Sequence, residues 1–473
     1  MFFLRIPKSK GNGQPAAPPP VDPDEMLMDA HTYRDLEVFE GDGGAASLYD
    51  LFSGTRTIGG AKVLKGRMKK PWSNAARIRA VQESIEFILE HRRPFDRLPT
   101  DVVTIELEKY LSAGLPLVTT ENRFEFFMGA LDVRFSDFRT WAQMVGGVRR
   151  ASRMIQQLRA VVAGLPARGR GEIGLLLDEL RVHLGRPGFA MVPDKEKWEL
   201  PAFVTIKVDR MFRFKERAAV DRILELLYQL DALVAMADAT EKFGFVIPEL
   251  AAGPLHVVAD GVFNPFVQNP VANPLRLDQR RRMLFLTGPN MAGKTTYLRS
   301  CGTALYLAHL GMGVPARAFR FSPCESLFSS ITVTDNVRGG VSFFRAEALR
   351  VKAIAEAVTT GRQVIAVMDE PFKGTNVKDA LDASLAVLER LASRTGSLFL
   401  VSSHLIELGE RMEATGQVDC RLFEASENEG KLRFDYVLRD GVSTQRLGMR
   451  VLREEGIFEL LDAPDLNASS STR

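Results

Sequence analysis

Gly288-Pro289-Asn290-Met291-Ala292-Gly293-Lys294-Thr295-Thr296 fills every fixed place of the pattern G-x-x-x-x-G-K-[ST], in which backbone N–H groups cradle phosphates. The flanks suit it. Met283-Leu284-Phe285-Leu286 reads as a buried strand, and Leu298, Cys301 and Leu305 recur at helical spacing after the loop. Glycines at 288 and 293 allow the tight turn, and the positive end of the following helix faces bound anions. Lys294 then supplies a mobile cation for β- and γ-phosphates, and the Thr295 hydroxyl is a hard oxygen donor suited to Mg²⁺. Thr296 is read as a helix-start hydroxyl. The expected ligand is a nucleoside triphosphate with its metal; the competing reading is a glycine turn that merely starts a helix.

A second motif argues against that competitor. Val364-Ile365-Ala366-Val367-Met368 is an apolar run too short for a helix, and it ends in Asp369-Glu370. It reads as a central parallel strand. Ligands of open parallel sheets lie beyond the carboxyl ends of the strands, so Asp369 is expected beside the metal and Glu370 beside the attacking water. On its own an acidic pair after a strand is more often just a helix start or turn; beside the phosphate loop the functional reading prevails. A third run, Ser397-Leu398-Phe399-Leu400-Val401, ends in Ser402-Ser403-His404 and sets His404 where it can sense a γ-phosphate, or else serve only as a surface or capping residue.

These residues carry a resemblance. Residues 264–457 resemble the ATPase domain of the MutS family of DNA mismatch-repair proteins, through Asn273-Pro274-Leu275, the loop at 287–299, Gly311 with Val314-Pro315-Ala316, Ser342-Phe343-Phe344-Arg345-Ala346-Glu347, Asp369-Glu370, Gly374-Thr375, Ser403-His404 and Gly441, Gly448, Gly456-Ile457. Upstream, Ser47 to Phe52, Thr55-Arg56-Thr57, Pro71 and Asp231 to Pro248 are similar to the family's helical core. The resemblance implies ATP and Mg²⁺ as ligands and a homodimer through the ATPase domains. In such a dimer Ser342 reaches the partner's γ-phosphate, or caps the helix from Phe343 onward; both are compatible. Arg338, on the loop before Ser342, is a further cation there, or a surface arginine.

The resemblance also implies DNA binding in mismatch repair or a related recombination process. Departures accompany the matches. Pro270 stands where the family has an aromatic residue against adenine, Phe343 follows the signature serine where the family has threonine, and Pro371-Phe372-Lys373 follows the acidic pair, with Asp379 kept. The core-like sequence begins within the first fifty residues, so the mismatch-reading domain is expected to be missing, and residues 168–215 have room for only a remnant of the DNA clamp. The rival reading is a nucleotide-gated scaffold that grips another protein, with slow or incidental hydrolysis.

Composition agrees with a globular chain of two or three domains over 473 residues. A net charge of +3 does not by itself argue for nucleic acid. DNA contact is therefore assigned to basic clusters: Lys65, Arg67, Lys69 and Lys70; Arg149, Arg150 and Arg153; Arg280, Arg281 and Arg282. Each is otherwise a solvated face. Cys301, Cys324 and Cys420 lack metal-ligand spacing, which suits a reducing cytoplasm, and no apolar run is long enough for a membrane span.

The expected architecture is α/β: a P-loop ATPase domain with a mostly parallel sheet at 251–462, preceded by an α-helical core or lever domain at 31–250. A disordered Pro-rich tail is expected at 1–30 and a polar tail at 463–473. Stripes at Ile78, Val81, Ile85, Ile88 and at Val220 to Ala237 support the helical part. Phe203-Val204-Thr205-Ile206-Lys207-Val208 reads as a strand.

Overall fold

A computed structural model of the protein describes residues 22–135, 137–192, 200–332, 343–428, 431–445 and 447–462. Residues 1–21, Arg338, Ser342 and residues 463–473, on which several expectations rest, lie outside these.

The first half of the described chain is helical, and its helices follow the apolar stripes. In the helix Ala75–Glu90, Asn74 accepts from the first-turn N–H groups of Ala76 and Arg77, and Ile78, Val81, Ile85 and Ile88 are all buried. The helix Arg217–Lys242 runs 26 residues, which is about 39 Å at the helical rise. Its buried Asp231 accepts from the N–H groups of Arg56 and Thr57 and from the Thr57 hydroxyl, at 2.6–2.9 Å. The carboxylate thus sits at the start of the helix Ile58–Met68, where the helix dipole favours negative charge. A Cβ at Gly60 would lie 2.1 Å from the Asp231 carboxylate, so the position excludes any side chain.

The strands are β1 (Glu249–Leu250), β2 (Val257–Val262), β3 (Asn273–Leu277), β4 (Met283–Thr287), β5 (Ala318–Phe321), β6 (Ser326–Ser330), β7 (Val364–Asp369), β8 (Leu398–Ser402), β9 (Val418–Leu422), β10 (Ala425–Asn428), β11 (Lys431–Phe434) and β12 (Arg439–Asp440). A six-stranded sheet runs β12-β9-β4-β8-β7-β6, parallel except for β12. A four-stranded sheet, β1-β5-β2-β3, is antiparallel except for β1 with β5. Its short strands alternate buried and exposed residues and carry no long apolar run, so the sequence did not announce it. β10 and β11 form a separate hairpin.

Both faces of the parallel sheet are covered. Leu284, Leu286, Ile365, Val367, Leu398 and Leu400 share one core with the helix Lys294–His309 and with the helical half of the chain. The alternate residues, among them Met283, Phe285, Ala366, Met368 and Phe399, form a second core with the helices on the other face. The helical half is therefore welded to the sheet through the helix that follows the phosphate loop.

Two expectations are corrected. Phe203–Val208 lies in the helix Ala202–Arg210, with Thr205, Ile206, Val208 and Asp209 buried at helical spacing. Tertiary packing overrides the β-branched composition. Asp209 is buried against Arg213 at 2.6 Å and accepts from the Tyr110 hydroxyl at 2.6 Å, which fixes this helix to its neighbour. Secondly, residues 22–30, assigned to the tail, are docked. The N–H of Leu27 donates to Glu325 and its carbonyl accepts from Leu327, so the segment lies along the β6 edge of the sheet; Met26 is buried. Asp29 caps the helix Ala30–Asp35 and pairs with Arg350. Met26 and Met28 pack on one core and Leu27 on the other, while Asp29 supplies the polar anchor; three apolar residues without periodicity give no element signal in the sequence.

Candidate functional site

The loop after β4 turns on two glycines held at positive φ, Gly288 at 146° and Gly293 at 98°. A Cβ on Gly288 would lie 2.7 Å from the Phe423 carbonyl oxygen, and one on Gly293 would lie 3.1 Å from the Tyr436 ring. Between them run Pro289, Asn290, Met291 and Ala292; Met291 is itself at φ 68° with its side chain exposed, while Ala292 is buried. Lys294 opens the helix Lys294–His309, followed by Thr295 and Thr296 in its first turn. Thr296 makes no side-chain cap, although its carbonyl accepts from Ser300.

Lys294 is buried, and its Nζ donates to the carbonyls of Gly288 at 2.9 Å and Pro289 at 3.1 Å. Burial pulls its ammonium below the ordinary lysine range, and the Glu370 and Asp369 carboxylates act against that pull. The Thr295 hydroxyl donates to Asp369 at 2.5 Å, and the Ser402 hydroxyl donates to the other Asp369 oxygen. Asp369 ends β7 and Ser402 ends β8, so parallel register brings the two together.

Glu370 leaves the strand at φ 49°, a left-handed conformation seldom taken by a residue with a Cβ. Its N–H still donates to the Ser402 carbonyl at 3.0 Å. The turn brings its carboxylate 3.9 Å from Lys294 Nζ and 3.2 Å from His404 Nδ1. The hydrogen bond with His404 holds the Glu370 carboxyl below the usual carboxylate range and raises the His404 imidazole above its own. Phe372 is a second strained residue, at φ 65°; it is buried with its ring 5.9 Å from that of Phe344. The altered Pro371-Phe372-Lys373 stretch therefore packs under the helix Phe343–Thr359. Gly374 donates to the buried Glu347 of that helix at 3.1 Å.

A cleft of about 670 Å³ opens over these groups and is lined by Lys294, Thr295, Asp369, Glu370, Pro270, Val267, Phe423 and Tyr436, among others. Pro270 thus shares the cleft with the phosphate loop. Tyr436, held at φ 56°, is the aromatic residue that sequence reasoning missed. Asn273 fixes it in place, donating to the Tyr436 carbonyl at 2.9 Å and accepting from the Leu438 N–H at 2.8 Å. No motif flags Tyr436, since it reaches the cleft through the loop between β11 and β12. Ser402 carries no motif signal either; its contact with Asp369 comes from the parallel register of β7 and β8.

The donor set suits a phosphate-bound Mg²⁺: a hydroxyl and a carboxylate, both hard oxygens, adjoin at Thr295 and Asp369. The basic clusters are partly used elsewhere. Arg67 pairs with Glu172, Arg281 with Asp419, and Arg282 donates to the carbonyls of Ala392 and Gln279. All three cysteines are free and buried. Among the described residues no helix is long and apolar enough to cross a membrane.

Residues 284–462 match the family described as MutS domain V. The match begins inside β4 and takes in the phosphate loop, β7 with its acidic pair, β8 with His404, and Tyr436. It points to a MutS-like ATPase and DNA-binding role. Residues 284–462 thus carry a domain of the MutS family.

Proposed function

We propose that the protein is a Mg²⁺-dependent ATPase of the MutS type, a homodimer through its ATPase domains at 251–462, whose nucleotide state is coupled to DNA binding in mismatch repair or a related recombination process. The observation that carries this reading is the convergence of Lys294, Thr295, Asp369 and Glu370 at the ends of neighbouring strands of one sheet onto one cleft, with His404 bonded to Glu370 behind them.

In this reading the triphosphate displaces the two loop carbonyls from Lys294, whose ammonium then follows the β- and γ-phosphates. Backbone N–H groups from Gly288 to Thr296 face the phosphate oxygens. Thr295 and Asp369 would hold Mg²⁺, which would supply positive charge against that developing on the phosphates. Glu370 orients the water that adds to the γ-phosphorus while the bridging oxygen departs with ADP. His404, already bonded to Glu370, lies where the γ-phosphate competes for it, so it reports whether that phosphate is present. Pro270 and Tyr436 take the adenine, the tyrosine replacing the aromatic contact that Pro270 lacks. Ser342 of the partner subunit completes the site.

Exposed apolar residues support the dimer. Met449, Leu452, Leu460 and Leu461 stand out from the helices Gly448–Glu454 and Ile457–Leu461, which bury no residue in the single chain. DNA contact would fall to the arginines and lysines not consumed internally and would be largely insensitive to sequence.

The second reading, a nucleotide-gated scaffold with slow hydrolysis, is favoured by the same Glu370–His404 bond, since a carboxylate with a depressed pKa is a weak base. Turnover separates the two. Steady-state assays with and without Mg²⁺ are expected to show hydrolysis that Glu370→Gln and Lys294→Ala each lower by about a hundredfold or more. Wild-type protein that binds ATP without such turnover supports the scaffold. Hydrolysis unmoved by mismatched or branched DNA, with no salt-sensitive DNA binding, removes the DNA role.

A further inference from the structure

The helices Arg123–Arg134 and Ala202–Arg210 enclose a groove of about 280 Å³ lined by Phe127, Ala130, Leu131, Phe203 and Ile206, with Arg134 among its walls. Its lining is almost entirely carbon. Beneath it lies a small core of its own, Phe126, Ala130, Val133, Met144 and Ile206, separate from the two large cores. Phe127 is 48% exposed and Phe203 39%, and Phe124, Phe135 and Phe138 project beside them. Water-facing phenylalanine on this scale marks a surface that is covered by something.

Charge says what kind of cover. Arg123 and Arg134 fall on the groove face of their helix by the same spacing that places Phe127, Ala130 and Leu131 there, whereas Glu125 and Asp132 fall on the opposite face. Lys207 stands on the facing helix, 4.7 Å above the Phe203 ring. None of these three cations has an acidic partner among the described residues; Arg134 rests only on the Phe135 and Trp141 rings. A nearby arginine, Arg210, is already neutralised by Glu121 at 2.6 Å. Of the two phenylalanines that line the groove, Phe203 packs edge to face on Phe126 at 5.5 Å and carries Lys207 over its ring. Base stacking requires open ring faces, which leaves Phe127 alone to offer one, whereas the carbon-lined groove between two helices suits inserted aliphatic side chains.

We infer that this groove docks an amphipathic helix of a partner protein, with apolar residues at i, i+3, i+4 and i+7 entering between the two helices and acidic residues along its flanks meeting Arg123, Arg134 and Lys207. The site is distinct from the nucleotide cleft and does not depend on hydrolysis.

The test uses the full-length protein and a fluorescent synthetic helix of about 18 residues, roughly five turns, with a leucine stripe and glutamate flanks. A twin peptide carries lysine for every glutamate. Anisotropy and Trp141 fluorescence are expected to show saturable binding of the acidic peptide, weakened roughly tenfold by Arg134→Glu and by Phe127→Ser. The lysine twin should bind at least about tenfold more weakly and gain from Arg134→Glu. Both substituted side chains are exposed, and unchanged thermal unfolding verifies the fold; Leu131→Ser gives an independent variant. No binding of the acidic peptide, equal binding of the twins, or indifference to these substitutions overturns the proposal. So does oligothymidylate binding that Phe127→Ser abolishes, which makes the groove a nucleic-acid surface, or self-association abolished by the same change, which makes it a contact between copies.

Discussion

Glu370 is pulled between two roles. Its left-handed backbone aims the carboxylate at the cleft, yet the His404 imidazole holds that carboxylate and lowers its pKa. Removing the imidazole removes the main lowering influence, so the Glu370 pKa rises and the acid limb of the pH–rate profile moves to higher pH. We expect this limb to shift upward in His404→Ala, as read from kcat between pH 4.5 and 8; an unmoved limb means that the pair is silent in turnover. The pair is worth most to the folded state between the unfolded glutamate and histidine values, because a lowered acid stabilises above the first and a raised histidine stabilises below the second. Tyr436 acts on binding instead. Tyr436→Ala is expected to raise the Kd for ATP roughly tenfold, the scale of one aromatic stacking contact, with little change in kcat. Equal losses in adenosine and inosine nucleotides would point to the ring face, not to a hydrogen bond.

At the scale of elements, the helix that starts at Lys294 ends on a buried histidine. His309 Nδ1 donates to the Leu305 carbonyl at 2.7 Å, and its Nε2 accepts from the Cys324 N–H at 2.9 Å, an arrangement that only neutral imidazole satisfies. Burial pushes its pKa down to about 4. The folded state is therefore favoured above the unfolded value near 6.5, and this advantage is lost as pH falls towards 4. Urea unfolding at pH 7 and pH 5 should show about 2 kcal/mol more acid destabilisation in wild type than in His309→Gln, and equal slopes in the two proteins would refute the assignment. β4, β7 and β8 were legible because each is an apolar run ended by a polar group, the pattern that full burial between two helical layers imposes. The helix Ala202–Arg210 was not, because its β-branched residues are helical only through the packing of Asp209, Tyr110 and Arg213.

Across the whole molecule, one apolar core links the phosphate-loop helix to the long helix Arg217–Lys242. A change at the loop is thus carried into the helical half by packed side chains, without a hinge of loop between them. If the exposed faces of the last two described helices join two copies, Leu460→Glu should yield monomers by sedimentation velocity. ATP binding should persist, while turnover falls by about tenfold or more through loss of the partner's contribution. Monomers with full turnover would separate hydrolysis from assembly. The phosphate loop, the acidic pair and the parallel sheet could be read from the chain because their chemistry is local. Tyr436, the four-stranded sheet and the docked residues 22–30 could not, since each depends on partners far along the sequence.

The docked segment also sets an order of events during synthesis. Asp35 accepts from the N–H groups of Ile331 and Thr332, and Asp29 and Thr32 engage Arg350, across about 300 positions of chain. At ordinary ribosomal speeds of about 5–20 residues per second, the first helix waits roughly 15–60 seconds for these partners to emerge. The edge strand β6 bridges to the Leu27 segment on one side and pairs with β7, which is made later, on the other, so the earliest described part of the chain covers an edge whose sheet is completed only afterwards.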